Sequence, residues 1–107
     1  MPSRSWQFRI DDIIEAINRI ERYTDGLDYA SWQNDEKTVD AVIRNIEVIG
    51  EASSHLPIEA QKQYEDVPWA MMKGVRNILA HEYFGIDLEI VWKTVKEDLP
   101  ILKKRLL

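Results

Sequence analysis

Apolar residues recur at helical spacing in several long stretches of the chain. The first stretch ends near Asp25 and Gly26, and its apolar positions are Trp6, Ile10, Ile13, Ile14, Ile17 and Ile20. This spacing predicts an amphipathic helix, with Ser3 or Ser5 available as its N-terminal cap.

A second amphipathic helix is predicted after a loop through Ser31 and Gln33. Asn34 is the expected cap, and Asp35 and Glu36 would fall in the first turn, where carboxylates are favourable against the helix dipole. The pattern stops before Pro57, and its buried positions would be Val39, Val42, Ile43, Ile46, Ile49 and Ser53. A short helical piece is then expected over residues 58–64.

Two further helices complete the pattern. Pro68 suits the first turn of a helix over residues 67–84, whose apolar stripe is Met71, Met72, Val75, Ile78 and Leu79. Gly85 and Asp87 mark the next junction, and Pro100 predicts a kink in the last helix. That helix would bury Leu88, Val91, Trp92, Val95, Leu99, Leu102 and Leu106. We therefore predict an all-α, antiparallel four-helix bundle with an extra short helix, formed by residues 1–107 as a single domain.

Composition narrows the function classes. The chain has 107 residues, no cysteine and a net charge of −5, so neither disulfides nor thiolate zinc ligands are expected. No signal peptide or membrane span is evident, which predicts a cytoplasmic protein without a membrane partner. The negative charge argues against broad nucleic-acid binding. A local pocket containing Lys73 and Arg76, doubled by dimerisation, could still be positive.

One short segment concentrates groups that can act on a phosphate. Arg76, Asn77, His81 and Tyr83 lie within eight residues, and in a helix all four would share one side. A guanidinium binds phosphate oxygens in fixed geometry, and an imidazole can transfer a proton near pH 7. Small and aromatic residues share this side, which favours a cleft or an interface over the alternative of a solvated face.

Outside this segment, two carboxylates form a further candidate pair. Glu47 and Glu51 lie four residues apart on the second predicted helix, and such a like-charge pair costs a few tenths of a kcal/mol that a positive group nearby would offset. One of them could orient Arg76 or His81, although both could simply be solvated. We predict that His55 is structural, because it lies at the end of that helix. Among the tryptophans, Trp69 is the one candidate for stacking on a base.

The segment from Pro68 to Phe84 resembles the signature of the HepT-like branch of the HEPN superfamily, in which Arg, four residues, His, one residue and Tyr follow one another. Arg76, His81 and Tyr83 match this motif without a gap. Residues 47–52 and 91–100 resemble two other blocks of the family, in the same order. The resemblance implies a toxin of a prokaryotic toxin–antitoxin pair that acts as a dimeric, metal-independent ribonuclease.

In the mechanism expected from these residues, His81 is a general base or acid and Arg76 stabilises charge on the phosphoryl oxygens. Asn77 and Tyr83 would support them by hydrogen bonds. A single imidazole without a convergent carboxylate set predicts that no metal or other cofactor is needed. The resemblance also implies that an MntA-type nucleotidyltransferase antitoxin attaches AMP to Tyr83. The competing interpretation is a noncatalytic module that binds nucleotides or a partner.

Overall fold

The computed structural model describes residues 6–69 and 87–107. Over these residues the chain is helical and contains no β-strand, which confirms the predicted all-α class and is compatible with a HEPN-like bundle. The helices are α1 (Gln7–Thr24), α2 (Tyr29–Gln33), α3 (Glu36–Ser54), α4 (Ile58–Gln63), α5 (Leu88–Lys93) and α6 (Leu99–Leu106), with a π-helical segment, Thr94–Asp98, between α5 and α6. We refer to residues 88–106 together as the C-terminal helix.

Helix α1 begins and ends close to its predicted limits. Trp6 precedes it without a side-chain cap, and residues 1–5, which include the caps expected at Ser3 or Ser5, lie outside the described residues. Gly26 follows the helix with φ at 77°, a left-handed conformation that favours glycine. The apolar stripe is fully buried at Ile10, Ile13, Ile17 and Ile20. Each such aliphatic side chain contributes about 1.5–3 kcal/mol by leaving water.

The prediction of a loop through Ser31 and Gln33 was wrong, because these residues belong to α2. Asp28 caps this helix by accepting a hydrogen bond from the Ser31 backbone N–H (2.8 Å). Trp32 is completely buried on its inner side. A five-residue helix is too short to be stable alone, so the burial of Trp32 stabilises it.

The cap of α3 also differs from the prediction. Asp35, and not Asn34, is the capping residue, and its carboxylate accepts from the Thr38 backbone N–H (3.3 Å) and the Thr38 hydroxyl (2.7 Å). Asn34 instead ends α2, where its side-chain amide donates to the Ala30 carbonyl (2.9 Å). The predicted stripe of α3 is buried, apart from Ile43, which is half-buried.

Helices α1 and α3 form an antiparallel pair. The indole Nε1 of Trp6, at the start of α1, donates to Glu59 (3.2 Å), and its ring packs edge-on against Tyr64 with 6.3 Å between centroids. Glu59 and Tyr64 follow the end of α3, so the start of one helix lies beside the end of the other. The short helix predicted over residues 58–64 is present as α4.

The C-terminal helix changes its winding before Pro100. In the π-helical segment the Leu99 backbone N–H donates to the Thr94 carbonyl, five residues back. Proline has no N–H for the carbonyl four residues earlier, and its ring collides with that carbonyl in a regular α-helix. The irregularity predicted at Pro100 therefore takes the form of a π-helical segment.

Candidate functional site

Most of the predicted site residues fall outside the part of the chain that the structure describes. Lys73, Arg76, Asn77, His81 and Tyr83 all belong to residues 70–86. We refer to residues 70–86 as the motif segment. The structure describes the two predicted carboxylates on α3 and the residues that flank both ends of the motif segment.

Glu47 and Glu51 each have a basic neighbour on their own helix. Glu47 Oε2 lies 3.4 Å from Arg44 Nη1, and Glu51 Oε1 lies 3.6 Å from His55 Nδ1. Arg44 thus places a positive charge beside Glu47 on the same helix, whereas the contact of Glu51 with His55 is an ion pair only when the imidazole is protonated. Glu51 is 72% exposed, whereas the Glu47 side chain is only 36% exposed. Exposed ion pairs of this kind contribute at most about 1 kcal/mol.

His55 lies at the C-terminal cap of α3, the position where we predicted a structural role. Its Nδ1 lies 2.8 Å from the Glu51 carbonyl and 3.2 Å from the Ser54 hydroxyl. An N–H at Nδ1 would donate to that carbonyl, one of the backbone acceptors that a helix end leaves without an intrahelical partner. The geometry of His55 agrees with helix capping.

The chain that leads into the motif segment is anchored at three carbonyls. Arg105 Nη1 donates to the Asp66 carbonyl (2.5 Å). The indole Nε1 of Trp69 donates to the carbonyls of Tyr64 (3.1 Å) and Gln61 (3.3 Å). Trp69, the predicted candidate for base stacking, is half-buried and is tied by its edge to the end of α4.

The chain that leaves the motif segment is anchored by a helix cap. Asp87 Oδ1 accepts hydrogen bonds from the backbone N–H groups of Glu89 (3.0 Å) and Ile90 (3.4 Å) and so begins α5. The C-terminal helix therefore holds the chain before the motif segment through Arg105 and the chain after it through Asp87. The sequence marked Asp87 as a junction but gave no signal for Arg105, whose partner lies 39 residues away.

Aromatic rings pack beside this cap. The Trp92 ring lies 5.1 Å from the Trp32 ring and 6.2 Å from the Tyr29 ring. Partial burial raises the pKa of the Tyr29 hydroxyl, and the carboxylates of Glu89 and Asp87 raise it further because they disfavour a phenolate. Tyr29 therefore stays protonated at neutral pH.

Elsewhere, the described surface has an open groove of about 400 Å³ on α1, lined by Asn18, Glu21, Arg22 and Asp25. Its two carboxylates make it a poor phosphate site. Within residues 6–69 and 87–107, no three His, Asp or Glu side chains lie close enough together to hold a metal ion. Nor does any helix in these two ranges have the length and apolarity needed to cross a membrane.

A helical bundle that anchors an Arg-x4-His-x-Tyr segment at both ends is compatible with the HEPN class of proteins. The family described as Ribonuclease HepT-like matches residues 13–107. The chain belongs to this HepT-like ribonuclease family.

Individual relatives agree with this assignment. The chain is 44% identical over 100 residues to "Probable ribonuclease HepT" of Thermococcus cleftensis, a match that covers 94% of this chain and 91% of the relative. It is 42% identical over 104 residues to "Putative RNase MJ1380" of Methanocaldococcus jannaschii, covering 97% and 95% of the two chains. A third relative from that organism, "Gamma-glutamylcyclotransferase and putative RNase MJ0434", is 41% identical over 98 residues, which cover 92% of this chain and 44% of the relative. No solved structure matches the chain.

Proposed function

We propose that this protein is the toxin of a toxin–antitoxin pair and a metal-independent endoribonuclease that cuts RNA with Arg76 and His81. The observation that carries the proposal is the ungapped Arg76, His81 and Tyr83 motif within a family match that extends over residues 13–107. The names of the relatives, each a ribonuclease or RNase, support the substrate class.

In the proposed reaction the ribose 2′-oxygen attacks the adjacent phosphorus and the bond from phosphorus to the 5′-oxygen breaks. His81 takes the proton from the 2′-hydroxyl or gives one to the leaving 5′-oxygen, a role worth about 10²–10⁴ in rate. Arg76 stabilises the charge that builds up on the phosphoryl oxygens. The products are a 2′,3′-cyclic phosphate and a free 5′-hydroxyl.

The supporting roles go to neighbouring residues. Lys73 adds positive charge beside the substrate, Asn77 holds the imidazole or a phosphate oxygen, and Tyr83 donates a hydrogen bond to the same group. One carboxylate of α3 orients Arg76 or His81. Glu47 is the better candidate, because it is less exposed than Glu51.

Cleavage by the purified protein tests the chemistry. RNA should be cut in excess EDTA, because the motif offers one imidazole, no cysteine and no convergent set of carboxylates to hold a metal. Arg76→Ala and His81→Ala should each reduce cleavage by at least about 10²-fold. Electrophoresis of end-labelled RNA, with mass spectrometry of the products, measures both the cleavage and the cyclic phosphate.

The chain offers matched controls for both substitutions. His55→Ala removes the other histidine and Arg22→Ala removes an exposed arginine of α1, and both should leave cleavage unchanged. A requirement for added magnesium, or full activity of the His81→Ala protein, would overturn the assignment. RNA binding without cleavage would instead favour the noncatalytic module.

Control by an antitoxin is the second part of the proposal. A cognate nucleotidyltransferase should attach AMP to the Tyr83 hydroxyl. In this reaction the tyrosine oxygen attacks the α-phosphorus of ATP, and pyrophosphate leaves. The added phosphate would pair with Arg76 and block the substrate.

Mass spectrometry after incubation with ATP, magnesium and the antitoxin should find the adduct on Tyr83 and no RNA cleavage. Tyr83→Phe should escape modification, whereas Tyr23→Phe, which alters an exposed tyrosine of α1, should be modified normally. An adduct on Tyr23, Tyr29 or Tyr64 would contradict this mode of control.

A further inference from the structure

Charge is distributed unevenly along the chain. Residues 6–69 contain 14 acidic and six basic residues, whereas residues 93–105 contain five basic and two acidic ones. The C-terminal helix is therefore a basic element on an acidic protein.

Four of its five cations point away from the core. Lys93, Lys96, Lys104 and Arg105 are exposed, and we call these four residues the basic face. The buried residues Val91, Val95, Leu99, Leu102 and Leu106 occupy the other side of the helix. Lys103 is half-buried and pairs with Glu21 of α1 at 2.8 Å, so it is not part of this face.

Two cations of the basic face are held in place by the fold. Lys96 Nζ lies 4.6 Å from the centroid of the Trp92 ring, which itself packs against Trp32. Arg105 donates to the Asp66 carbonyl. An ammonium has three donors and a guanidinium five, so each group retains N–H donors for an anion. A side chain already restrained loses less conformational entropy on binding.

The helix dipole does not explain this arrangement. It favours cations only within about the last turn, which covers Lys104 and Arg105. Lys93 and Lys96 lie two or more turns earlier and outside that effect. The exposed carboxylates of Glu89 and Glu97 lower the charge of the helix but leave its exposed surface with more cations than anions.

The position of the basic face relative to the motif segment indicates its ligand. The C-terminal helix contacts the chain at both ends of that segment, through Arg105 at one end and through the Asp87 cap at the other. Lys93 and Lys104 lie about 16 Å apart along the helix axis, a length that spans several phosphates of an extended strand. A helix that lies on a membrane instead needs a continuous exposed apolar stripe. The main apolar stripe of this helix is buried in the core, and its exposed apolar side chains, Ile90 and Ile101, are isolated from one another.

We propose that the basic face binds the phosphodiester backbone of the RNA strand outside the scissile linkage. This inference rests on the proposed ribonuclease function and extends it to substrate binding. The basic face supplies the positive charge that a chain with a net charge of −5 otherwise lacks for a polyanion.

A binding experiment tests this role independently of cleavage. The probe is a fluorescein-labelled 2′-O-methyl oligoribonucleotide of about 20 residues, which cannot be cut because its 2′-oxygens are blocked. Fluorescence anisotropy at several NaCl concentrations gives the slope of log K against log salt. Lys93→Gln/Lys104→Gln should lower the magnitude of that slope by about 1.4, because each lost contact to single-stranded nucleic acid removes about 0.7, and should weaken binding about tenfold at low salt.

The matched control is Lys37→Gln/Lys62→Gln, which removes the same charge from exposed positions on α3 and α4 and should leave the slope unchanged. An equal loss in both double variants would overturn the proposal, and so would binding to phosphatidylserine vesicles without binding to the oligonucleotide. If the protein cuts RNA but Lys93→Gln/Lys104→Gln leaves the salt slope unaltered, the proposed role of the basic face is refuted and the ribonuclease function is not. If binding depends on these lysines but the protein cuts no RNA, the ribonuclease function is refuted and the RNA-binding role of the basic face is retained.

Discussion

Individual side chains decide where the helices of this protein begin. Asp28 and Asp35 cap two successive helices, and in each case a carboxylate oxygen accepts a backbone N–H that the helix leaves unpaired. The sequence predicted a cap before α3 but placed it at Asn34. Asparagine and aspartate are both good caps, so local preference alone could not decide between Asn34 and its neighbour Asp35. Asp35 becomes the cap of α3 because Asn34 ends α2, where its side-chain amide donates to the Ala30 carbonyl.

The two caps make stability depend on pH in acid solution. The Thr38 hydroxyl and backbone N–H lower the pKa of Asp35 from 3.8, and the Ser31 backbone N–H lowers the pKa of Asp28 from the same value. A carboxylate whose folded pKa is lowered stabilises the protein above its unfolded pKa, and this contribution is lost as the pH falls through the folded value.

We expect Asp35→Asn to lose less stability than the wild type between about pH 5 and about pH 2, because asparagine can cap without an ionisable group. Urea unfolding followed by circular dichroism at several pH values measures this. Asp40→Asn removes the same charge from the exposed side of α3 and serves as the control. A wild-type pH profile in the Asp35→Asn protein would show that the cap carries no such linkage.

At the scale of the elements, apolar periodicity predicted α1, α3 and the C-terminal helix well. These helices are long and strongly patterned, so burial and local preference agree. Helix α2 was missed because its stability comes from the contacts of Trp32 with distant residues such as Trp92. The π-helical segment is reflected in the spacing of the buried positions of the C-terminal helix. From Val91 to Leu106 the buried positions make four turns in 15 residues, which is about 3.75 residues per turn instead of 3.6.

A wider turn brings these buried positions back onto one side, so the π-helical segment acts as a one-residue insertion. We expect a variant with Glu97 deleted and Pro100→Ala to fold. Its C-terminal helix should be a continuous α-helix, and its melting temperature should lie within several degrees of the wild type. Glu97 is exposed, and alanine removes the clash that proline would cause.

Deletion of Glu15 from α1 is the matched control. It would turn Ile10 and Ile13 by about 100° relative to Ile17 and Ile20 and should prevent stable folding. Thermal unfolding followed by circular dichroism distinguishes the two deletions. Equal damage from both would mean that the π-helical segment is not an insertion.

For the whole molecule, the predicted fold class is confirmed and the site stays a prediction. Spacing placed Arg76 and His81 in one segment, and the family assignment covers that segment. The sequence marked the junction at Asp87, after the segment, but did not predict the contact of Arg105 with the chain before it, because contacts between distant residues leave no periodic trace. The expected homodimer is likewise a proposal. It would place Arg76 and His81 of two copies along one groove.

We expect dimerisation to strengthen with added NaCl. Two chains that each carry −5 repel one another, and salt screens that repulsion over a Debye length of about 10 Å at 0.1 M. Light scattering at micromolar concentration should therefore show more dimer at about 0.3 M NaCl than at about 0.02 M. Asp12→Asn/Asp40→Asn, which removes two exposed charges, should raise the low-salt dimer fraction. A monomer at every salt concentration would exclude the shared groove.

The contact between Trp32 and Trp92 has an optical consequence. Their rings lie 5.1 Å apart at 32°, close enough for the indole transitions to couple and give a paired signal in circular dichroism. One indole belongs to α2 and the other to the C-terminal helix, so the coupled signal reports whether these two elements are docked. Its loss before the helical signal falls would reveal a partly open state in which α2 has separated from the C-terminal helix.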